Sequence, residues 1–134
     1  MILIKNLMLA LALEVQILDD VNFTTVKGKA PGPKHLSGSI YDILAAKPVL
    51  FKGHDKWYTT HIIVKGTQVT VYMDGTLVAD IDQSSETHKK LFAESKFARN
   101  KKIAPKYGKN IIGRIGLQDH KSIVWFKNAK VRKL

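Results

Sequence analysis

Two short segments at opposite ends of the chain mix apolar residues with side chains suited to proton transfer and hydrogen bonding. Leu13-Glu14-Val15-Gln16-Ile17-Leu18-Asp19-Asp20 lies near the start, and Gly113-Arg114-Ile115-Gly116-Leu117-Gln118-Asp119-His120 near the end. Alternate residues of an extended strand share a face. Val15 and Ile17 therefore face one way, with Glu14 and Gln16 the other; Ile115 and Leu117 oppose Gln118 and His120. If both strands join one sheet, one side is core and the other presents a carboxylate, two amides and an imidazole. A carboxylate and an imidazole can serve as general base and general acid, and amides orient polar substrates. Each group also has a plainer reading: Glu14 as a solvated outer-face residue, Gln118 and His120 as hydrogen-bonded framework, and Asp119 as a turn cap.

The elements that must position these groups are mostly strands. Lys27 to Ser37, with Ala30-Pro31-Gly32-Pro33, reads as a loop, because Gly and Pro punctuate regular structure. Gly38 to Ile43 reads as a short strand, and Trp57 to Val64 as another, rich in β-branched and aromatic residues. Gln68 to Met73 alternates, and Asp74-Gly75 leads into Thr76 to Ile81. An Asp-Gly pair between such runs predicts a hairpin whose turn has positive φ at both central residues. Thr87 to Ala98 suggests one or two amphipathic helical turns anchored by Leu91, Phe92 and Phe97, followed by an extended basic loop through Pro105. Ile111 to Asp119 and Ser122 to Val131 return to strand character. Trp57 and Trp125 read first as core aromatics. Many short strands with one small helical region predict an all-β antiparallel sandwich or jelly roll.

Composition sets wider limits. A chain of 134 residues, 45% apolar, fits one domain with a modest core. Zero cysteine excludes disulfides and thiolate metal sites. The net charge of +11 raises a polyanion-binding reading, since Lys89 to Arg114 contains nine cations and only one acid, Glu94. No zinc-finger, RNP-type or helix-turn-helix spacing accompanies them, so solvated loops and strand ends are the simpler account and nucleic acid is not the expected partner. His35, His54, His61 and His88 lack metal-ligand spacing; no cofactor is expected, and a divalent cation held by Glu14, Asp19 or His120 has no motif behind it. Met1 to Ala12 loosely imitates a secretory signal but reads better as an apolar strand or helix entering the fold, and it is far shorter than the roughly 20 residues of a membrane span.

The order of motifs resembles a known family. Glu14-Val-Gln-Ile-Leu-Asp-Asp20 is followed by His35-Leu-Ser-Gly-Ser-Ile-Tyr41, Lys47-Pro48, the Trp57 strand, the Asp74-Gly75 hairpin, Gly113-Arg-Ile-Gly-Leu-Gln-Asp-His120 and Val124-Trp-Phe-Lys-Asn-Ala-Lys-Val131. From Leu13 to Leu134 this resembles the 3-keto-disaccharide hydrolase domain family, with its concanavalin A-like lectin/glucanase sandwich. Three positions depart from the family's pattern: Tyr58 stands where Asn commonly follows the Trp, Asp74 replaces the Asn of Asn-Gly, and Lys121 replaces Gly after His120. The family's front strands have no counterpart here beyond Met1 to Ala12. The chain thus looks like the C-terminal two-thirds of such a domain, with exposed edges and a tendency to self-associate, which Ile2 to Leu11 could relieve as a substitute strand.

The resemblance implies a polar concave face that receives a carbohydrate, an extracytoplasmic location in bacteria, and cleavage of glycosides oxidised to a ketone at C3. On that footing Glu14 and His120 are the catalytic candidates, in either assignment. Gln16 and Gln118 are candidate donors to sugar or enolate oxygens, Tyr41 or Trp57 a platform for the sugar face, and Asp19 and Lys121 further substrate contacts. The alternative from a different class is a non-catalytic carbohydrate-binding module, since fold alone does not decide activity.

Overall fold

A computed structural model describes residues 2–4, 13–25, 27–109, 115–118 and 123–134. The described strands form two three-stranded antiparallel sheets. The first has the order β2 (Leu13–Val15), β1 (Ile2–Ile4), β6 (Ile115–Leu117); the second runs β3 (Thr60–Lys65), β4 (Gln68–Met73), β5 (Thr76–Asp82). Two short helices, α1 (Glu86–Glu94) and α2 (Lys96–Arg99), follow β5.

The β4–β5 hairpin forms as its sequence dictates. Asp74 and Gly75 have φ of 46° and 79°, the two positive values that the tight turn requires. Val69, Val71 and Met73 alternate inward along β4. A register shift beside Val71 and Tyr72 turns two consecutive β5 residues, Val78 and Ala79, into the core. On the opposite face Asp80 accepts hydrogen bonds from Gln68 Nε2 at 2.6 Å and Thr70 Oγ1 at 2.7 Å.

The expected strand at Gly38 to Ile43 is a turn with two isolated bridges, Val15 to Ile40 and Ile40 to Leu44. Its backbone still runs beside β2: Gln16 N donates to Ser39 O and Tyr41 N to Glu14 O. Asp42, at φ 59°, bends the chain away before a ladder can extend. Gly38 allows close packing here, because a Cβ on it would meet Met73 Sδ at 2.6 Å. Ile40 and Ile43 thereby join Val15 and the β4 residues in one cluster.

Helix α1 begins at Ser85, whose hydroxyl accepts from His88 N at 3.1 Å. The predicted helical stretch is divided at Ser95, which ends α1 and caps α2. Phe97 is buried, while Leu91 and Phe92 pack on the core edge. The expected basic loop beyond them is folded rather than extended: Ala104–Lys106 make a 3₁₀ turn that delivers Tyr107 into the core against Phe92 and Phe97.

Three further expectations are corrected. Residues 123–134 form no strand and are exposed throughout; among the described residues no strand pairs with them, and an extended segment needs a ladder partner. Trp57 and Trp125 are 52% and 76% exposed, so neither is a core aromatic. Ile115 and Leu117, assigned to the core face, are half exposed. The register explains this last result: Leu117 pairs with Ile2, which pairs with the fully buried Val15, so the core thins outward from β2 to β6.

Candidate functional site

Strand β2 buries Val15 on one side, and its alternation carries Glu14 to the other. Leu3 pairs with Glu14 on one flank and with Gly116 on the other. Glu14 and Gly116 therefore occupy one register row, and Gln16 and Gln118, two residues along, have the same parity. The two motif strands share a sheet but are separated by β1, so the functional groups meet across two strand spacings rather than one.

Glu14, Gln16 and Gln118 border one broad, open concavity that extends across β3 to residues 123–134, with Asp19, Tyr41 and Trp57 also on its walls. Glu14 is buried, 8% exposed, and burial pushes its carboxyl up to about 7, opposed in part by the positive charge of Lys96. Nearby, burial pushes the Tyr107 phenol well above its ordinary value, with the Glu14 and Asp42 charges adding to the effect. The side-chain oxygens Gln16 Oε1 and Gln118 Oε1 are buried and have no hydrogen-bond partner among the described residues. Buried polar atoms are ordinarily paired, so two orphaned acceptors on a hollow's wall suit hydroxyl donors from a bound molecule.

Tyr41 is fixed by its backbone bond to Glu14 O at 2.8 Å, and its ring packs against His35 at 4.8 Å between centroids. Trp57 presents a half-exposed face crossed by Lys127 Nζ at 4.1 Å. Asp19 is a turn-former: it accepts from Val21 N, Asn22 N and Asn22 Nδ2, which holds its carboxyl below the usual range, and His54 Nδ1 lies 3.6 Å away. Its carboxylate is thus occupied by its own loop. His120 and Lys121 lie outside the described residues.

Sequence reasoning missed Lys96, which lines the same hollow and was grouped with a solvated basic stretch. Its backbone N donates to Asp42 Oδ2 at 2.6 Å, and its Nζ stands 4.1 Å from the Tyr41 ring centroid. The available signal was Ser95, a good N-cap inside the helical stretch, which starts a second helix at Lys96. No group of three or more His, Asp or Glu side chains converges among the described residues to hold a metal. Among them, too, no helix is long and apolar enough to cross a membrane.

The arrangement is thus a buried carboxyl with a raised proton affinity and two amide oxygens without partners among the described residues. The chain superposes, with a TM-score of 0.68 at 18% identity, on a crystal structure from Parabacteroides distasonis described as a "putative glycosyl hydrolase", over 79% of this chain and 47% of that one, and so shares its fold. Residues 6–132 match the model of the 3-keto-alpha-glucoside-1,2-lyase-like domain, and the chain belongs to that family. It is 34% identical over 129 residues to a 3-keto-disaccharide hydrolase of Bacteroides thetaiotaomicron, covering 90% of this chain and 43% of the relative. The chain therefore spans less than half the length of that curated relative.

Proposed function

We propose that this chain cleaves the glycosidic bond of 3-keto-glycosides, with Glu14 as the general base. A ketone at C3 acidifies the neighbouring C2–H. Glu14 takes that proton, and the C–H electrons form the C2–C3 enolate. Collapse of the enolate expels the C1 oxygen, which takes a proton from a general acid, the role for which the sequence offers His120. Water then adds across the resulting C1–C2 double bond to give the free 3-keto-sugar. A base for such work operates best with a proton affinity near the working pH.

The observation that carries this reading is the buried Glu14 carboxyl, raised to about 7, on the wall of one broad concavity with the Gln16 and Gln118 amide oxygens, which have no partner among the described residues. Membership of the lyase-like family supports the substrate class. Incubation with 3-keto-trehalose, followed by chromatography of the products, tests it. Wild-type protein is expected to release glucose and 3-keto-glucose. Glu14→Gln lowers kcat by roughly 10²- to 10⁴-fold, the usual worth of a general base, while sugar binding persists. A wild-type protein that binds the sugar without releasing product is instead a carbohydrate-binding module, the reading that the half-exposed Trp57 face would then serve.

A further inference from the structure

Resting on that reading, we propose that Lys96 is a catalytic residue, its ammonium meeting the C3 oxygen of the keto-sugar and holding the negative charge that builds there when C2 loses its proton. Three observations lead to this assignment. Lys96 opens α2 immediately after Ser95, which is 1% exposed and bonded to both helices: its hydroxyl donates to Phe92 O at 2.7 Å and accepts from Ala98 N at 3.4 Å. The backbone of Lys96 is tied to Asp42, which His35 Nε2 also contacts at 3.2 Å. The stem of the side chain is thus anchored at the turn that carries Tyr41, whose own backbone is bonded to Glu14.

The charge of Lys96 is also uncommitted. Lys34 pairs with Glu94 and Lys89 with Glu86, but among the described residues no carboxylate lies within 4.0 Å of Lys96 Nζ. It rests instead over the rings of Tyr41 at 4.1 Å and Phe97 at 5.2 Å, with the hollow in front of it. A cation held on aromatic faces keeps its charge available to an incoming anion.

The remaining polar groups divide the work. The Gln16 and Gln118 oxygens stand without partners among the described residues, and an amide that turns its nitrogen toward an oxyanion donates a neutral hydrogen bond but brings no positive charge. Proton removal by Glu14 alone leaves a full charge on the C3 oxygen, and stabilising that developing charge is ordinarily the largest single contribution to such a step. In a 3-keto ring the C3 oxygen is one bond from C3 and the abstracted proton one bond from C2. A base and a cation acting on one substrate must therefore stand close together, and Lys96 Nζ lies over the ring of Tyr41, whose backbone N donates to Glu14 O. Among the described residues, the other ionisable groups acting near Glu14 include the buried Tyr107 phenol and, beyond it, Asp42 with its partner His35; the amino terminus adds a positive charge that, like Lys96, lowers the Glu14 carboxyl.

Steady-state kinetics of Lys96→Met and Lys96→Arg on 3-keto-trehalose, combined with ¹³C NMR titration of the glutamate carboxyls, test the assignment. Lys96→Met is expected to lower kcat roughly 10²- to 10³-fold with KM changed only a few-fold, as when one donor to a developing oxyanion is removed. Lys96→Arg, which keeps the charge, recovers part of the rate. The Glu14 titration moves upward in Lys96→Met, and needs no turnover to be seen. Lys96→Met with wild-type kcat, a loss confined to KM, or an unmoved Glu14 titration each overturns the assignment while the cleavage reading stands. A wild-type chain without turnover removes that reading and this inference with it.

Discussion

Glu14 places a functional demand and a stability demand on the same atom. An isolated carboxyl near 4.5 that holds its proton to about 7 in the fold makes the native state bind more protons than the unfolded chain between those values. Stability is therefore greatest below about pH 4.5 as far as this group is concerned, and falls as the pH rises through 7. The shift corresponds to a loss on the order of 3 kcal/mol once the carboxylate is forced to ionise. Glu14→Gln removes that dependence. Its melting temperature is expected to exceed wild type at pH 8 and to converge with it near pH 4, as followed by circular dichroism. Activity runs the other way: kcat/KM rises with pH on a limb near 7, because only the deprotonated base accepts the C2 proton. A wild-type protein equally stable at both pH values would show that Glu14 is better solvated than its burial indicates.

Among the elements, the turn that carries Tyr41 matters more to the site than the longer β4–β5 hairpin, and two glycines measure the difference. Gly75, at φ 79°, has open space around it, so Gly75→Ala bears only the left-handed backbone strain of about 1 to 2 kcal/mol. Gly38, at φ 84°, adds a collision of its new Cβ with Met73 Sδ at 2.6 Å and Val78 Cγ2 at 3.1 Å. Overpacking of this kind costs a further 1 to 3 kcal/mol or so. Urea denaturation is expected to rank Gly38→Ala as the more destabilised variant, and equal midpoints would contradict the packing described. The hairpin was fully legible in the sequence because its alternation and its Asp-Gly turn are local. The Glu14 and Gln16 face was legible for the same reason. Lys96 was not, since its role comes from Asp42, 54 residues distant along the chain, and from an aromatic face supplied by another turn. Trp57, Trp125, Ile115 and Leu117 were misjudged because apolar character states a preference for burial and says nothing of whether a covering element exists.

For the whole molecule, the decisive feature is the flank of β3, with which no strand pairs among the described residues. Val64 pairs with the fully buried Val69 and so lies on the core-facing side, yet it is 41% exposed. Ile123, Trp125 and Val131 add further exposed apolar surface. Uncovered strand edges and contiguous apolar patches promote association. Against this stands a net charge of +11, which makes copies repel at low salt. Sedimentation velocity is expected to show association that strengthens as salt screens the repulsion, with the Debye length falling from about 10 Å at 0.1 M to about 3 Å at 1 M. Val64→Lys is expected to weaken it at every salt concentration. A chain that stays monomeric at high salt would show the flank to be covered.

The placement of β1 has a practical side. Ile2–Ile4 is the spacer that sets how far the acid-bearing strand stands from the amide-bearing one. A protease that cut within Ile2–Ile4 would therefore let the two halves of the site drift apart while the hairpin and helices stayed whole.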